Sequence, residues 1–320
     1  MFDYDKRKLG KQAQELGFIR DTLEKVFRLS KILQYLNNDS LLRECLALKG
    51  GTAINMTIFN LPRLSVDIDL DYTHNNSREE MFRERQRISD SINKYMAMSG
   101  YELSPKSKSY HSLDSYVFSY INTAGVKDNI KVEINYSLRS HVLPLEQRAI
   151  ETLGILDSFK INSLASIEIF GSKVVALLTR AAPRDLYDIN NMIYFGLFDE
   201  TELHLLKKCA IFYFAIGGDA ASETFNWGKL DELTEYKIRT DLYPVIRKKE
   251  GFDLVAAKQR VTAYLSMFFE LADNEAEFLR TFKNGEYHPK LLFEDEQILE
   301  RIRNHPMAIW KTRVGIKGTK

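Results

Sequence analysis

Between residues 65 and 72 the chain alternates without exception, with Val66, Ile68 and Leu70 on one side and Asp67, Asp69 and Asp71 on the other. Period-two alternation marks a strand with one face on a core and one face open. A lone strand cannot satisfy its backbone, so this segment commits the N-terminal part of the chain to a sheet. Just upstream, Leu46-Ala47-Leu48-Lys49 runs into Gly50-Gly51-Thr52 and then AINMTIF, which predicts a strand, a glycine turn and a helix whose N-cap is Thr52. Residues 115–121 and 130–136 are short, aromatic and β-branched and flank Asn122-Thr123-Ala124-Gly125, so a hairpin is expected there, with Val132 and Ile134 inward and Glu133 outward.

Helical periodicity surrounds this sheet. Apolar positions from Leu16 to Leu36 predict an N-terminal helix pair, closed by Asn37-Asn38-Asp39-Ser40, and residues 75–99 predict a helix ending at Gly100. Beyond Ser163 helices are expected over 163–181, 184–195, 201–215, 227–238, 253–273 and 294–303. The chain is therefore read as α+β with a mixed sheet up to residue 160, followed by an all-helical domain over 161–320.

Composition limits the functional classes. With 45 Lys+Arg against 44 Asp+Glu, the net charge is +1, so any nucleic-acid surface must come from local segregation of charge. Two cysteines, Cys45 and Cys209, cannot form a disulfide framework or a four-thiolate zinc site. The six histidines show no ligand spacing, and Cys45 inside LLRECLAL reads as a small buried hydrophobe. There is no apolar leader at the N-terminus and no long apolar run, so a cytoplasmic protein without a membrane partner is expected.

The chemistry concentrates around the acidic strand. Asp67 and Asp69 sit at i and i+2, about 7 Å apart along one strand face, where they repel unless a cation bridges them. A bare Asp-x-Asp in a strand is ordinarily a solvated polar face. Here the upstream Gly50-Gly51-Thr52 turn opens a helix whose free N–H groups suit an anion, so a phosphate cradle lies beside a candidate metal pair. No Walker A loop and no GxGxxG follow a strand. Asp71 extends the stripe by one pleat and is read as a supporting or solvent-facing charge.

Four blocks, LKGGTAINM, RLSVDIDLDY, KVEIN and KVVALLTRAAPRDLYDI, occur in this order between Leu48 and Ile189. In order, spacing and neighbouring residue types they resemble the AbiEii/AbiGii-type nucleotidyltransferase toxins, members of the DNA polymerase beta-like nucleotidyltransferase superfamily. Thr52 stands where that superfamily more often has serine, and the hydroxyl is retained. Beyond about Glu200 no family motif is found.

The resemblance implies a polymerase-beta-like domain, with the nucleotide in the cleft it forms with the helical domain. It also implies transfer of a nucleoside monophosphate from an NTP, with Mg²⁺ (or Mn²⁺) on Asp67, Asp69 and Glu133. Gly50, Gly51, Thr52 and Ser65 would line the nucleotide pocket, and Lys173 of the KxxALxxR block would reach the triphosphate. Arg180, seven residues on, shares its helix face, although a solvated face explains Arg180 equally well. Arg184, Asp185 and Asp188 of the RDxxD block would close the pocket, while acidic residues in a first helical turn also serve the helix dipole. The implied partners are tRNA, at its 3′ end, and a cognate antitoxin protein, with a role in phage defence. Competing readings are an AMP-transferase acting on a protein hydroxyl and a nucleotide-binding regulator without turnover. Two basic groups could hold nucleic-acid phosphates: Arg247, Lys248 and Lys249, and the tail carrying Arg301, Arg303, Lys311, Arg313, Lys317 and Lys320.

Overall fold

A computed structural model describes residues 5–154, 158–217, 225 and 227–315. The chain divides into two compact units, the first comprising Met1–Arg139, Leu145–Ser163 and Tyr243–Gly251, the second Ser140–Pro144, Leu164–Leu242 and Phe252–Lys320.

The first unit begins with α1 (Lys6–Leu16), whose N-cap Asp5 accepts from Arg7 and Lys8 N–H. It continues with α2 (Arg20–Asn38) and α3 (Ser40–Cys45). Strand β1 (Leu46–Lys49) leads directly into α4 (Gly50–Ala53), which is prolonged by a π-helical turn, Ile54–Ile58. Then come β2 (Asp67–Tyr72), α5 (Arg78–Met98), β3 (Glu102–Leu103), β4 (Lys108–Ser109), β5 (Leu113–Ile121), β6 (Lys127–Asn135), β7 (Glu146–Ala149) and β8 (Lys160–Ser163). They form one sheet in the order β3-β5-β6-β2-β1-β8-β7, with β4 also on β5. Strand pairs β2/β6 and β1/β8 are parallel and the remainder antiparallel, so the sheet is mixed as expected.

Helix α5 shows why these residues hold together. A capping box between Ser77 and Glu80 starts it, satisfying two N–H groups that would otherwise be orphaned. Met81, Arg85, Ile88, Ile92 and Met96 then recur at three- and four-residue steps and are buried. The buried Arg85 is neutralised by a two-pronged contact with Asp114 of β5, at 2.9 Å from Nε and 2.6 Å from a terminal nitrogen. The late segment Tyr243–Gly251 completes this unit: Leu64 N–H donates to the Val245 carbonyl at 2.7 Å, and Arg63 bridges Ile246.

The regular elements among the described residues of the second unit are helices: α6 (Ser166–Arg180), α7 (Pro183–Tyr194), α8 (Glu200–Gly217), α9 (Glu235–Lys237), α10 (Leu254–Phe268), α11 (Asp273–Lys283), α12 (Glu296–Ile302) and α13 (Pro306–Gly315), with short 3₁₀ and π turns between them. Helices α6 and α8 meet closely at Gly171, where an added Cβ would stand 2.9 Å from Cys209 Cβ and 3.1 Å from the Ala210 nitrogen. Ala181, in the left-handed region at φ +46°, ends α6, and Pro183 at the first helical position starts α7.

Several sequence expectations are corrected. The acidic strand begins at Asp67 rather than residue 65, and the helix after β1 begins at Gly50 with Lys49 as its N-cap. Thr52 therefore lies inside the first turn, its hydroxyl drawn to the strand instead of to a helix N–H. The segment 227–238 is not one helix: a 3₁₀ turn spans Trp227–Glu232, and Thr234 then caps a fresh start by accepting from Lys237 N–H. The segment 253–273 stops at Phe268, and a new helix begins at Asp273 with Glu275 reaching back to the Ala272 N–H at 2.9 Å. The basic tail contains α13, in which Ala308 and Thr312 are buried while Trp310 is 55% exposed. Lys317 and Lys320 lie outside the described residues.

Candidate active site

The glycine turn is shaped by β2. Gly50 has φ +67°, a conformation that costs any residue with a Cβ, and a Cβ placed there would come 2.5 Å from Asp69 Oδ2. At Gly51 the same atom would meet the Arg63 guanidinium at 2.9 Å. The backbone thus passes Asp69 as closely as atoms allow. Thr52, fully buried, donates its hydroxyl to the Asp67 carbonyl and lies 2.9 Å from Ser65 Oγ. These two hydroxyls pin the turn to the start of the acidic strand.

On β2, Asp67 and Asp69 are half-buried and share one face, while Ile68 and Leu70 face the core. The parallel register with β6 sets Asp67 beside Lys131 and Asp69 beside Glu133. Adjacent strands lie about 4.8 Å apart, so Asp67, Asp69 and Glu133 form a triangle of carboxylates on one sheet face. The Glu133 carboxylate also takes Lys131 Nζ at 2.7 Å. A cavity of about 320 Å³ opens over this face, lined in part by Lys49, Asp69, Ser112, Glu133, Asn135 and Ser137.

Sequence reasoning left Lys49 out of the site. Its ammonium is 2.6 Å from Asp71 Oδ1, and Asp71 is fully buried rather than solvent-facing. Lys49 thereby cancels the third charge of the stripe and leaves Asp69 and Glu133 as the carboxylates that line the cavity. The signal was the adjacency of Lys49 to Gly50, legible only once β1 and β2 are known to pair with Lys49 opposite Asp69.

The second unit gathers the other predicted residues around α6 and α7. Lys173 is buried, with its ammonium 2.8 Å from Asp185 Oδ1 and 3.3 Å from Asp188 Oδ2. Arg180 reaches the same Asp185 through two hydrogen bonds, 2.7 and 3.0 Å, with most of its own side chain exposed. Burial alone would raise the Asp185 carboxyl, but the Lys173 ammonium and Arg180 guanidinium prevail and hold it at about 2. Asp185 also stands in the first turn of α7, where the helix dipole favours an anion. Arg184 is half-buried in that turn.

Comparison with known proteins identifies the family and the fold. No curated protein matches the sequence. Among solved structures, the fold is similar to MenT4, a nucleotidyltransferase toxin from Mycobacterium tuberculosis H37Rv, with a TM-score of 0.64 at 15% identity over 93% of this chain and 99% of that one. The family described as nucleotidyl transferase AbiEii toxin of type IV toxin–antitoxin systems matches residues 31–284, a span that contains every carboxylate, glycine and basic residue of both clusters. The chain accordingly belongs to the AbiEii nucleotidyltransferase toxin family.

Proposed function

We propose that this enzyme transfers a nucleoside monophosphate from an NTP to the 3′ end of tRNA, using Mg²⁺ or Mn²⁺ held by Asp67, Asp69 and Glu133. The observation that carries this reading is the register that sets Asp69 beside Glu133, with Gly50 pressed against Asp69. Three hard oxygen donors on one face suit a divalent cation of that class. When bound, the cation would neutralise the triphosphate and lower the pKa of the attacking hydroxyl.

The chain's own residues do the rest. The Gly50-Gly51 turn offers backbone to phosphate oxygens where no Cβ fits, and Thr52 and Ser65 keep that turn in place. Within the second unit, Lys173, Arg180 and Arg184 are the cationic candidates, and Asp185 and Asp188 hold Lys173 in position. As the acceptor oxygen bonds to the α-phosphorus, Glu133 takes its proton on a carboxylate oxygen, and the bond from that phosphorus to pyrophosphate breaks. Growth arrest, phage defence and neutralisation by a cognate antitoxin follow as the biological reading.

The test is incubation of the purified protein with each α-labelled NTP, total tRNA and total cell protein, with Mg²⁺ or with chelator. Label on the tRNA 3′ end that is lost with chelator is the expected result. Label on polypeptide, or transfer that survives chelation, overturns the acceptor or the metal assignment respectively.

A further inference from the structure

Cys45, His74 and Glu84 converge in the first unit at a place the nucleotidyl transfer does not use. Cys45 ends α3, His74 follows β2 by two residues, and Glu84 lies in the second turn of α5. The Cys45 sulfur is 3.8 Å from His74 Nδ1 and 3.7 Å from Glu84 Oε2, and His74 Nδ1 is 3.0 Å from the same oxygen. All three potential donor atoms lie within 4.8 Å of one another. From these distances we propose that Cys45, His74 and Glu84 form a three-donor site for a thiophilic divalent cation of the Zn²⁺ class, with the remaining position open to water.

The geometry matches what such an ion needs. Bond lengths of about 2.3 Å to sulfur and 2.0–2.2 Å to nitrogen and oxygen, at tetrahedral angles, put sulfur about 3.6 Å from either partner and nitrogen about 3.4 Å from oxygen. The three observed separations differ from these by no more than about 0.4 Å. The donor set is soft and borderline, which favours Zn²⁺ or Co²⁺ over Mg²⁺. Backbone contacts preform the site: Thr73 N–H and hydroxyl both donate to the Cys45 carbonyl, at 2.9 and 3.2 Å. Tyr72 hydrogen-bonds Glu84 through its hydroxyl and sets its ring edge against His74, 5.6 Å between centroids. Entry is available because His74 is 38% exposed while Cys45 is 1% exposed.

Without a cation, burial and the Glu84 carboxylate push the Cys45 thiol up to about 12, so it rests protonated and donates to Glu84. Uptake of the ion exchanges that S–H proton for a metal–sulfur bond, and the proton leaves to solvent. The site would tie the junction of α3 and β1 to the end of β2, the strand that carries Asp67 and Asp69.

The full-length reduced protein is titrated with Co²⁺ and then with Zn²⁺, watching the absorption of a cobalt–thiolate bond and the thermal midpoint. One equivalent of Co²⁺ should produce the thiolate charge-transfer band, Zn²⁺ should abolish it, and excess Mg²⁺ should leave it. Cys45→Ser should remove the band. His74→Gln, at a half-exposed position, should weaken Co²⁺ binding at least about tenfold. Wild-type protein without a thiolate band overturns the site, as does a band that persists in Cys45→Ser, which would point to Cys209. Unchanged Co²⁺ affinity in a folded His74→Gln variant overturns it too.

Discussion

Asp69 and Glu133 stand abreast on two parallel strands, β2 and β6, separated by 64 positions in the chain (133 minus 69) and held in register by five consecutive residue pairs. Because side chains alternate, sliding β6 by one residue would replace Glu133 with Val132 or Ile134 and bury the carboxylate. The hydrophobic face of β6, with Ile130, Val132 and Ile134 all fully buried, therefore guards the acidic triangle. Packing on one side of the sheet fixes chemistry on the other.

Asp67→Asn and Asp69→Asn are each expected to reduce nucleotidyl transfer by at least about 100-fold while leaving the fold intact, since both groups are half-buried and their mutual repulsion is relieved. Transfer and thermal unfolding are to be read on the same preparations. Wild-type rates in either folded variant would remove the pair from the reaction.

Gly50→Ala should fail differently. The positive φ costs about 1–2 kcal/mol for a residue with a Cβ, and the new methyl must displace the Asp69 carboxylate, which lies 2.5 Å from it. A modest drop in thermal midpoint with a large fall in turnover is the expected pair of results. Full activity in this variant would show that Asp69 tolerates displacement.

In the second unit, Asp185 makes stability depend on acid. Its folded pKa of about 2 lies below the ordinary 3.8, so its contribution is present above pH 3.8 and is lost as pH falls through 2, on the order of 2 kcal/mol in all. Asp185→Asn should flatten that part of the pH–stability curve. Lys173→Met, which leaves Asp185 and Asp188 buried without their ammonium, should cost about 3–5 kcal/mol. A Lys173→Met protein as stable as wild type would contradict a buried ion pair.

For the RNA contact proposed above, Arg301, Arg303 and Arg313 are exposed on and beside α12 and α13. Changing all three to Gln should weaken tRNA binding and flatten the log–log salt dependence by roughly 0.7–0.9 for each phosphate that is no longer neutralised. Anisotropy titrations over a range of salt read both quantities. An unaltered slope would transfer the assignment to Arg247, Lys248 and Lys249, which line a hollow of about 740 Å³ beside Phe18.

What the sequence disclosed was whatever depended on local period. Alternation announced β2, the β5/β6 hairpin followed from its turn residues, and the family motifs named the candidate residues of both units. Long-range pairing was hidden. Nothing in the order of residues says that Lys49 will cancel Asp71, or that Cys45, His74 and Glu84, spaced by 29 and 10 positions, will converge. Helix interruptions were also missed, because apolar spacing continues through 227–238 and 253–273 while Thr234 and the Ala272–Glu275 cap restart the backbone. The weakest reading, the basic tail, overlooked a helix because charge masked the buried Ala308 and Thr312.

The return of Tyr243–Gly251 to the first unit has a consequence for how this protein can be taken apart. The chain passes from one unit to the other five times. A fragment ending at Ser163 would lack the strand partner of Arg63 and the carbonyl that receives Leu64 N–H, on the very loop that leads into the acidic strand. Neither half is a cassette that recombination could move intact, because each unit is assembled from three separate stretches of the chain.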